Sequence, residues 1–192
     1  YSLTLSDGKH NLCGSCLQKH QVGRKMKTMF MSRYNIQMKK NVESATTLND
    51  ISNEIAVVYA DGNNMGGIIK NIESLGQIAY FSRLAAAASV QSCYIALEKV
   101  GINSFECIAV GGDDIFMIVP AVNSLKFVNK LIESFNNYFM DLSNASDKIP
   151  TTLSAGLVIA KYNAPVRALA EKAEQCLKKA KELIRYDNLN QG

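Results

Sequence analysis

Two glycines and two aspartates stand together at residues 111–114, between the apolar runs of the stretch 105-FECIAVGGDDIFMIVP-120. Another aspartate, Asp61, directly follows the apolar run at residues 54–60. Carboxylate oxygens suit Mg²⁺ and Mn²⁺, and Mg²⁺ commonly combines one or two carboxylates with substrate phosphates. These residue types therefore indicate metal-dependent phosphate chemistry, provided that the fold brings the acids together.

The hydrophobic pattern predicts the elements that would position these acids. Short β-branched runs indicate strands, and 3.6-residue periodicity with capping residues indicates helices. Strands are expected at 54–60, 105–110, 115–119 and 152–160, and helices at about 74–100, 123–142 and 165–185. The pair Gly111-Gly112 predicts a hairpin turn, because both glycines accept positive φ. The order β-α-β-β-α-β-α is that of an α+β, ferredoxin-like βαββαβ sheet with helices on one face.

This topology would bring the three acids to one edge of the sheet. The first and third strands of such a sheet are its usual central pair, so the end of the first strand lies beside the hairpin turn. Clustered carboxylates repel one another and are costly to bury, unless a cation is bound. Two ions about 4 Å apart would activate an attacking hydroxyl and stabilise a phosphate leaving group. The alternative is two ordinary turns, since Asp is a common turn residue.

Two further groups would bind phosphates. The small residues that follow Asp61, at 63–67, would let backbone N–H groups approach an anion. Lys178, Lys181 and Arg185 fall near one face of the last helix and would reach a triphosphate. A solvated helix face is the other interpretation of these cations.

The first 50 residues form a basic arm with a composition of its own. Eight basic residues and no acid lie between residues 8 and 42, which favours a polyanion partner or a flexible tether. Phe30 and Tyr34 alternate with basic residues, as in a surface that stacks RNA or DNA bases. A helix that packs on the following domain fits equally well. Residues 41–53 are polar and are expected to be a linker.

Cys13 and Cys16 form the CxxC sequence LCGSC, which is half of a zinc site. His10 and His20 would complete the site, or a second pair outside this chain would supply the other ligands. Two reduced cysteines at a turn are the alternative. The other three cysteines stand alone in apolar patterns, as small core residues do in a reducing compartment.

The bulk properties set the remaining limits. The chain has 192 residues, of which 47% are hydrophobic, enough for one domain and a short appendage. No apolar run approaches the ~18 residues that span a membrane, and residues 1–20 lack the apolar segment of a signal peptide. We therefore expect a cytoplasmic protein that does not bind a membrane. Because it begins with Tyr1, the chain is also expected to be a piece of a longer protein.

The motifs resemble the palm domain of GGDEF-type nucleotidyl cyclases. VGGDD on a hairpin, YADGNNMG after the preceding strand, and SAGLVIA leading to AEQCLKKAK carry the likeness. They are most similar to the second palm of the large polymerase/cyclase subunit of type III CRISPR systems and its relatives in prokaryotic defence. The resemblance covers about residues 54–186 and implies a palm at 51–192, preceded at 1–50 by a partial zinc ribbon and basic arm.

The resemblance implies ATP as substrate, Mg²⁺ or Mn²⁺ as cofactor, and 3′–5′ linked cyclic oligoadenylates as antiviral second messengers. It makes Asp61 and Asp113 catalytic metal ligands, with Asp114 a ligand or a close neighbour. With the cations of the last helix, the nucleotide-binding residues are expected to be Gly62, Asn63, Asn64, Met65, Gly66, Gly111, Gly112, Ser154, Lys178 and Lys181. Lys181 matches the lysine of the family's terminal AK motif. Zn²⁺ at Cys13 and Cys16 would belong to the ribbon.

The sequence also departs from the family at three positions. Asn63 stands where many relatives have Asp, which puts the number of metal ions in doubt. Asp114 replaces the Glu of diguanylate cyclases, and Ile69 replaces their guanine-binding Asn, which argues against GTP. Such palms work in facing pairs, so a second palm would come from another copy or another part of the protein.

Three functions remain open from the sequence. The first is an ATP-dependent cyclic oligonucleotide synthase that works with RNA or CRISPR effector subunits. The second is a non-catalytic nucleotide-binding palm whose zinc-ribbon arm binds nucleic acid or a partner subunit. A diguanylate cyclase is the least favoured.

Overall fold

The computed structural model describes the backbone of residues 2–5, 8–11, 13–43, 45–142 and 151–190. Side chains are described within 13–43, 45–139 and 151–183. The chain forms two compact units, Tyr1–Val42 and Glu43–Gly192.

In the first unit, the structure describes two paired strands and a long helix. Strands β1 (Ser2–Leu5) and β2 (Gly8–Asn11) pair antiparallel, and helix α1 covers Gly14–Met38. The Asn35 side chain closes the end of this helix, because its amide both donates to the Val42 carbonyl and accepts from the Val42 N–H, each at 2.9 Å. The predicted basic arm is therefore largely helical.

Among its described residues, the second unit contains four strands and four α-helices. In chain order these are β3 (Glu54–Gly62), α2 (Met65–Lys70), α3 (Leu75–Val100), β4 (Glu106–Gly111), β5 (Asp114–Pro120), α4 (Ser124–Leu142), β6 (Leu153–Lys161) and α5 (Val166–Asn190). The predicted elements are confirmed with bounds shifted by a few residues. The short helix α2 is an addition that the sequence pattern did not indicate.

The four strands form one antiparallel sheet in the order β4-β5-β3-β6. The first and third strands of the domain, β3 and β5, are its central pair, as expected for the βαββαβ order. Ala60 lies opposite Ile115, so the end of β3 reaches the start of β5. Asp61 lies opposite Ser154 on the other side.

Helices cover both faces of the sheet, which corrects the expectation of helices on one face. Ile55 and Val57 of β3 pack against Ala173 of α5. The alternate residues of β3, such as Val58, point to the opposite face and are fully buried. Helices α3 and α4 pack on each other and contact β4 and β6. Helices α3 and α4 each connect two strands of the sheet, whereas no described strand follows α5. Helix α5 is therefore not a connection between strands and can cover the other face.

The stretch before β3 packs on the domain and is not a free linker. Ile51 is buried in the core with Ile55, and Ala45 and Leu48 pack against this cluster. Asp50 accepts hydrogen bonds from the N–H groups of Thr46 and Thr47, which closes the turn. The compact second unit thus includes residues before 51 and starts at Glu43.

Local sequence signals fix the ends of the longest helix of this unit. Ser74 caps α3 by accepting from the N–H of Gln77 at 3.2 Å, and Gly101 ends the helix with φ +75°. Within the described residues, no helix combines the length and apolar character needed to cross a membrane.

Candidate metal- and nucleotide-binding site

The hairpin between β4 and β5 is a two-residue turn. Gly111 pairs with Asp114, so Gly112 and Asp113 form the turn itself. Gly112 has φ +61°, whereas Gly111 and Asp113 do not have positive φ. Of the two glycines expected to serve the turn, only Gly112 therefore uses its conformational freedom. Glycine at the first turn position with a normal residue after it is the type II′ pattern.

The turn brings Asp113 against the end of β3. A Cβ on Gly62 would stand 3.0 Å from the Asp113 Cβ, so glycine leaves room for this approach, which any side chain would crowd. The carboxyl groups of Asp113 and Asp61 lie within hydrogen-bonding distance of each other. The structure thus brings together the acids that the sequence placed at one edge of the sheet.

Burial and the neighbouring Asp61 carboxyl raise the pKa values of Asp113 and Asp114. Burial, and then the adjacent Asp61 carboxyl, raise the pKa of Asp113 to about 6. Burial also raises the pKa of Asp114, and the charge of Asp61 adds to this effect. Lys181 partly offsets the shift of Asp114. The cluster therefore carries more negative charge than its surroundings stabilise.

Lys181 supplies one cation to this cluster from helix α5. Its ammonium group donates to the Asp61 carboxylate and, at 3.0 Å, to the Gly62 carbonyl. Both side chains of the ion pair are mostly buried, with exposed fractions of 23% for Lys181 and 28% for Asp61. Of the two lysines predicted here, this is the one that reaches the acids.

Lys178 lies one turn earlier on α5 and is exposed. Its ammonium group pairs with Glu174 at 2.8 Å, and this carboxylate raises the pKa of Lys178. Lys178 is thus engaged on its own helix. The side chain of Arg185, the third predicted cation, lies outside the described residues.

Gly156 determines how closely α5 approaches the sheet. A Cβ at this position would stand 1.9 Å from the Ala173 carbonyl oxygen and 2.5 Å from the Leu177 nitrogen. Helix α5 therefore lies directly on β6, within reach of Asp61 for Lys181. Sequence reasoning quoted Gly156 within a motif but assigned it no role.

Asn63 joins β3 to β6 instead of pointing freely into the site. Its amide oxygen accepts from the Ser154 hydroxyl at 2.9 Å, and its amide nitrogen donates to the Thr152 hydroxyl at 2.8 Å. Its backbone N–H donates to the Thr152 carbonyl at 2.7 Å. Ser154, predicted to lie near the nucleotide, is buried beside Asp61 and bonded to Asn63. No local signal marked Thr152, because its partner lies 89 residues away.

The residues after Asn63 form a tight start to helix α2. Asn64 has a left-handed φ of +59° and directly precedes the helix. Its side chain packs against Gly67, where a Cβ would stand 2.2 Å from the Asn64 amide oxygen. Met65 is buried against Gly62. Gly66 faces open space.

The donor chemistry at this edge fits a divalent cation. Asp61, Asp113 and Asp114 offer carboxylate oxygens, the ligands that Mg²⁺ prefers, and a cation bound there would offset the burial and repulsion that raise the pKa of the last two. Among the side chains that the structure describes, no three acids, histidines or cysteines form a metal-binding group. In this arrangement the Asp61 carboxylate forms an ion pair with the ammonium group of Lys181.

Cys13 and Cys16 lie at the start of α1, in the first unit. Both are exposed and free. Hydrogen bonds from Cys16 lower the pKa of Cys13, whereas the Cys13 thiol raises the pKa of Cys16. The side chain of His10 lies outside the described residues, so zinc binding stays a prediction.

Comparison with known proteins adds independent evidence. The family model for the second palm domain of Cas10/Cmr2 matches residues 54–190. Csm1 of T. onnurineus is similar in structure, with a TM-score of 0.59 and 19% identity over 71% of this chain and 21% of that one. A search of curated proteins gives no match.

Two further solved structures of Csm1–Csm4 cassettes are similar. One is in complex with AMPPNP, with a TM-score of 0.57 and 20% identity over 68% of this chain and 20% of that one. The other is in complex with cA3, with a TM-score of 0.57 and 19% identity over 68% and 20%. The chain thus spans about a fifth of the length of these Csm1 chains. At such identities the structural likeness supports the fold alone.

The family match covers more than half of the chain and includes Asp61, the 111–114 turn, Ser154 and Lys181. It extends over all four strands of the sheet and over helix α5. The chain therefore belongs to the Cas10/Cmr2 family, as a second palm domain.

Proposed function

We propose that this palm is the catalytic domain of a Mg²⁺- or Mn²⁺-dependent nucleotidyltransferase that converts ATP to cyclic oligoadenylates in antiviral defence. The observation that carries the proposal is the contact between the Asp61 and Asp113 carboxyl groups, beside the ammonium group of Lys181. The family relationship supports the reaction class. Solved Csm1–Csm4 cassettes are found in complex with one ATP, with cA3 and with cA4.

Asp61, Asp113 and Asp114 would hold the metal ions. Divalent ions bound there would activate the attacking hydroxyl and stabilise negative charge on the phosphates. In the reaction, the 3′-oxygen of one ATP forms a bond to the α-phosphorus of the next. The bond to the β-phosphate oxygen breaks, pyrophosphate leaves, and the hydroxyl proton passes to solvent. Catalysis would rest on positioning and electrostatics.

On nucleotide binding, the ammonium group of Lys181 would leave the Asp61 carboxylate and pair with the triphosphate. In the structure its ammonium group balances the charge of Asp61. A bound triphosphate offers more negative charge and several acceptor oxygens, so the ammonium group would turn to the phosphates. Asp61 would then be free to bind metal.

The glycines would leave room for the nucleotide. A Cβ at Gly66, Gly111 or Gly112 would meet nothing within 4 Å, so the backbone there is open to a ligand. Asn63 and Ser154 would not contact the nucleotide directly, because the Ser154 hydroxyl donates to the Asn63 amide oxygen at 2.9 Å. Their contribution would be to hold the end of β3 in place.

The proposal includes partners. A second palm, from another copy or from elsewhere in the protein, would hold the second nucleotide. Csm1 relatives are seen in complexes with Csm4, so CRISPR effector subunits are the expected protein partners. The basic first unit would contribute RNA contacts and a zinc ion at Cys13 and Cys16.

A non-catalytic nucleotide-binding palm is the second candidate. Two observations favour it: Lys181 already neutralises Asp61, and the amide of Asn63 replaces an acid and is held by its neighbours. Such a palm would bind ATP without turning it over.

The test is product analysis of the full protein with its partner subunits. It would be incubated with ATP, and separately with GTP, in Mg²⁺ or Mn²⁺, followed by mass spectrometry. Oligoadenylates from ATP alone, absent in the Asp113→Ala, Asp114→Ala double variant, would support the proposal. ATP binding without product would favour the second candidate, and diguanylate from GTP would overturn both.

A further inference from the structure

A buried serine of helix α3 reaches the turn that carries Asp113. Ser89 is 0% exposed, and its hydroxyl donates to the Gly112 carbonyl at 2.8 Å. The two residues are 23 positions apart in the chain. Two small residues of the same helix, Ala85 and Ala88, are also buried.

The Gly112 carbonyl belongs to the central peptide of the turn. A peptide unit is planar, so the direction of this carbonyl also sets the direction of the Asp113 N–H. Type I′ and type II′ turns differ in the orientation of this peptide, and in the sign of φ at the second turn residue. A hydrogen bond to the Gly112 oxygen therefore selects one of the two orientations.

The turn needs such a constraint because of its own sequence. Gly112 is conformationally permissive, and a Cβ there would meet nothing within 4 Å, so local packing does not hold the peptide. The orientation seen, with φ +61° at Gly112 and no positive φ at Asp113, brings the Asp113 carboxyl to Asp61. A flipped peptide would change φ at Asp113 and re-aim that carboxyl.

We propose that Ser89 is a positioning residue that locks the Gly112–Asp113 peptide and thereby orients Asp113 for metal binding. This inference rests on the proposed function, because it concerns the same carboxylates. Ser89 does not touch the metal or the substrate; it acts through the turn.

Helix α3 offers a matched control. Ser92 is equally buried at 0%, but its hydroxyl donates to the Ala88 carbonyl of the same helix, at 2.6 Å. Ser89→Ala and Ser92→Ala thus delete the same group from the same helix, and only the first frees the hairpin. Ser89→Thr keeps the hydroxyl and serves as the rescue variant.

Two measurements on the full protein test the proposal. The first is hydrogen–deuterium exchange of the 111–114 peptide without metal, and the second is Mn²⁺ affinity by electron paramagnetic resonance. We expect faster hairpin exchange and about 10-fold or greater weakening of Mn²⁺ binding in Ser89→Ala, since groups that orient metal ligands typically contribute this much. Ser92→Ala and Ser89→Thr should match the wild type in both.

Equal behaviour of Ser89→Ala and Ser92→Ala would overturn the proposal, and so would faster exchange with unchanged Mn²⁺ affinity. The proposed function fails separately, if the wild type makes no product from ATP. Exchange and Mn²⁺ binding need no turnover, so they still decide the role of Ser89. If the wild type also binds no Mn²⁺, Ser89 has no metal ligand to orient, and the proposal is overturned with it.

Discussion

The two ends of the four-stranded sheet are made of the same strands and differ in what their polar groups do. At the carboxylate end (residues 61–64, 111–114 and 152–154), side chains form hydrogen bonds across neighbouring strands, and Asp61 lies near enough to Asp113 and Asp114 to raise their pKa values. At the groove end (residues 52–54, 120–122 and 159–162), an open groove is bordered by exposed Val122 and Ile159. The strands support both ends, and under the proposed function the turns of the carboxylate end and their cross-strand partners would supply the chemistry.

The largest expected contrast between the ends is in turnover. Asp113→Ala combined with Asp114→Ala should lower the rate of ATP conversion by more than about 10²-fold, because electrostatic stabilisation is lost. The melting temperature should stay the same or rise, since the change relieves carboxylate repulsion. Product formation and thermal unfolding, measured on the same preparation, check both.

The control for this pair is Glu54→Ala, which removes a carboxylate from the groove end of the same strand, β3. It should leave turnover unchanged. Turnover that survives the double substitution, or falls equally in Glu54→Ala, would contradict the assignment of chemistry to one end.

The next contrast concerns helix α5, which contributes Lys181 to the carboxylate end. Gly156→Ala would drive a Cβ into the α5 backbone, at 1.9 Å from the Ala173 oxygen. We expect the free energy of unfolding to fall by about 1–3 kcal/mol or more, as in overpacked cores, with Lys181 moved away from Asp61. Urea unfolding measures the loss.

Gly76→Ala is the matched change near the start of α3, where a Cβ meets only the Ser74 hydroxyl, at 4.0 Å. It should be neutral, or stabilising by less than about 1 kcal/mol. If both variants lose stability equally, the close approach at Gly156 is not what holds α5.

A finer contrast separates two lysines one turn apart on α5. Lys181→Met should lower the free energy of unfolding by about 1–3 kcal/mol, because a partly buried charged hydrogen bond to Asp61 is lost. Lys178→Met should have no measurable effect, since its ion pair with Glu174 is exposed. If Lys181→Met and Lys178→Met change the free energy of unfolding equally, the contact of Lys181 with Asp61 does not stabilise the protein.

The smallest expected effect is a pH dependence of stability in metal-free protein. The folded pKa of Asp113 is raised to about 6 from an ordinary 3.8, so the folded state holds this proton more tightly than the unfolded state. Stability from this group is therefore full below about pH 4, falls as the pH rises to about 6, and is constant above. Asp114 adds in the same direction.

Asp113→Asn should flatten this fall, and the check is the urea midpoint followed from pH 4 to 7 in a chelator. Asp50 of the same unit does not interfere, because backbone hydrogen bonds from Thr47 lower its pKa and its contribution to stability changes only below about pH 4. A midpoint that rises over this range in both proteins would show that Asp113 does not dominate the titration.

The sequence predicted the elements and the edge where the acids meet because those signals are local. Short β-branched apolar runs marked the strands, and 3.6-residue periodicity with capping residues marked the helices. The GGDD turn and the β-α-β-β order then placed Asp113 beside Asp61. The VGGDD and DGNNMG motifs also supported the family, which the match over residues 54–190 confirms.

What the sequence missed depends on long-range geometry. An amphipathic pattern shows that α5 has an apolar face, but not which face of the sheet it covers. The i, i+3 spacing of Lys178 and Lys181 could not show that only one reaches Asp61, since that depends on the approach at Gly156. Ser89 stood in an apolar helix with nothing to indicate its partner at Gly112.

The most direct test of the central claim is Mn²⁺ titration of the full protein, followed by electron paramagnetic resonance. The comparison is between the wild type, the Asp113→Ala, Asp114→Ala double variant, and Glu54→Ala. The account predicts Mn²⁺ binding that is lost in the double variant and unchanged in Glu54→Ala. Equal Mn²⁺ binding by all three proteins would contradict it, because the carboxylate end would then not be the metal site.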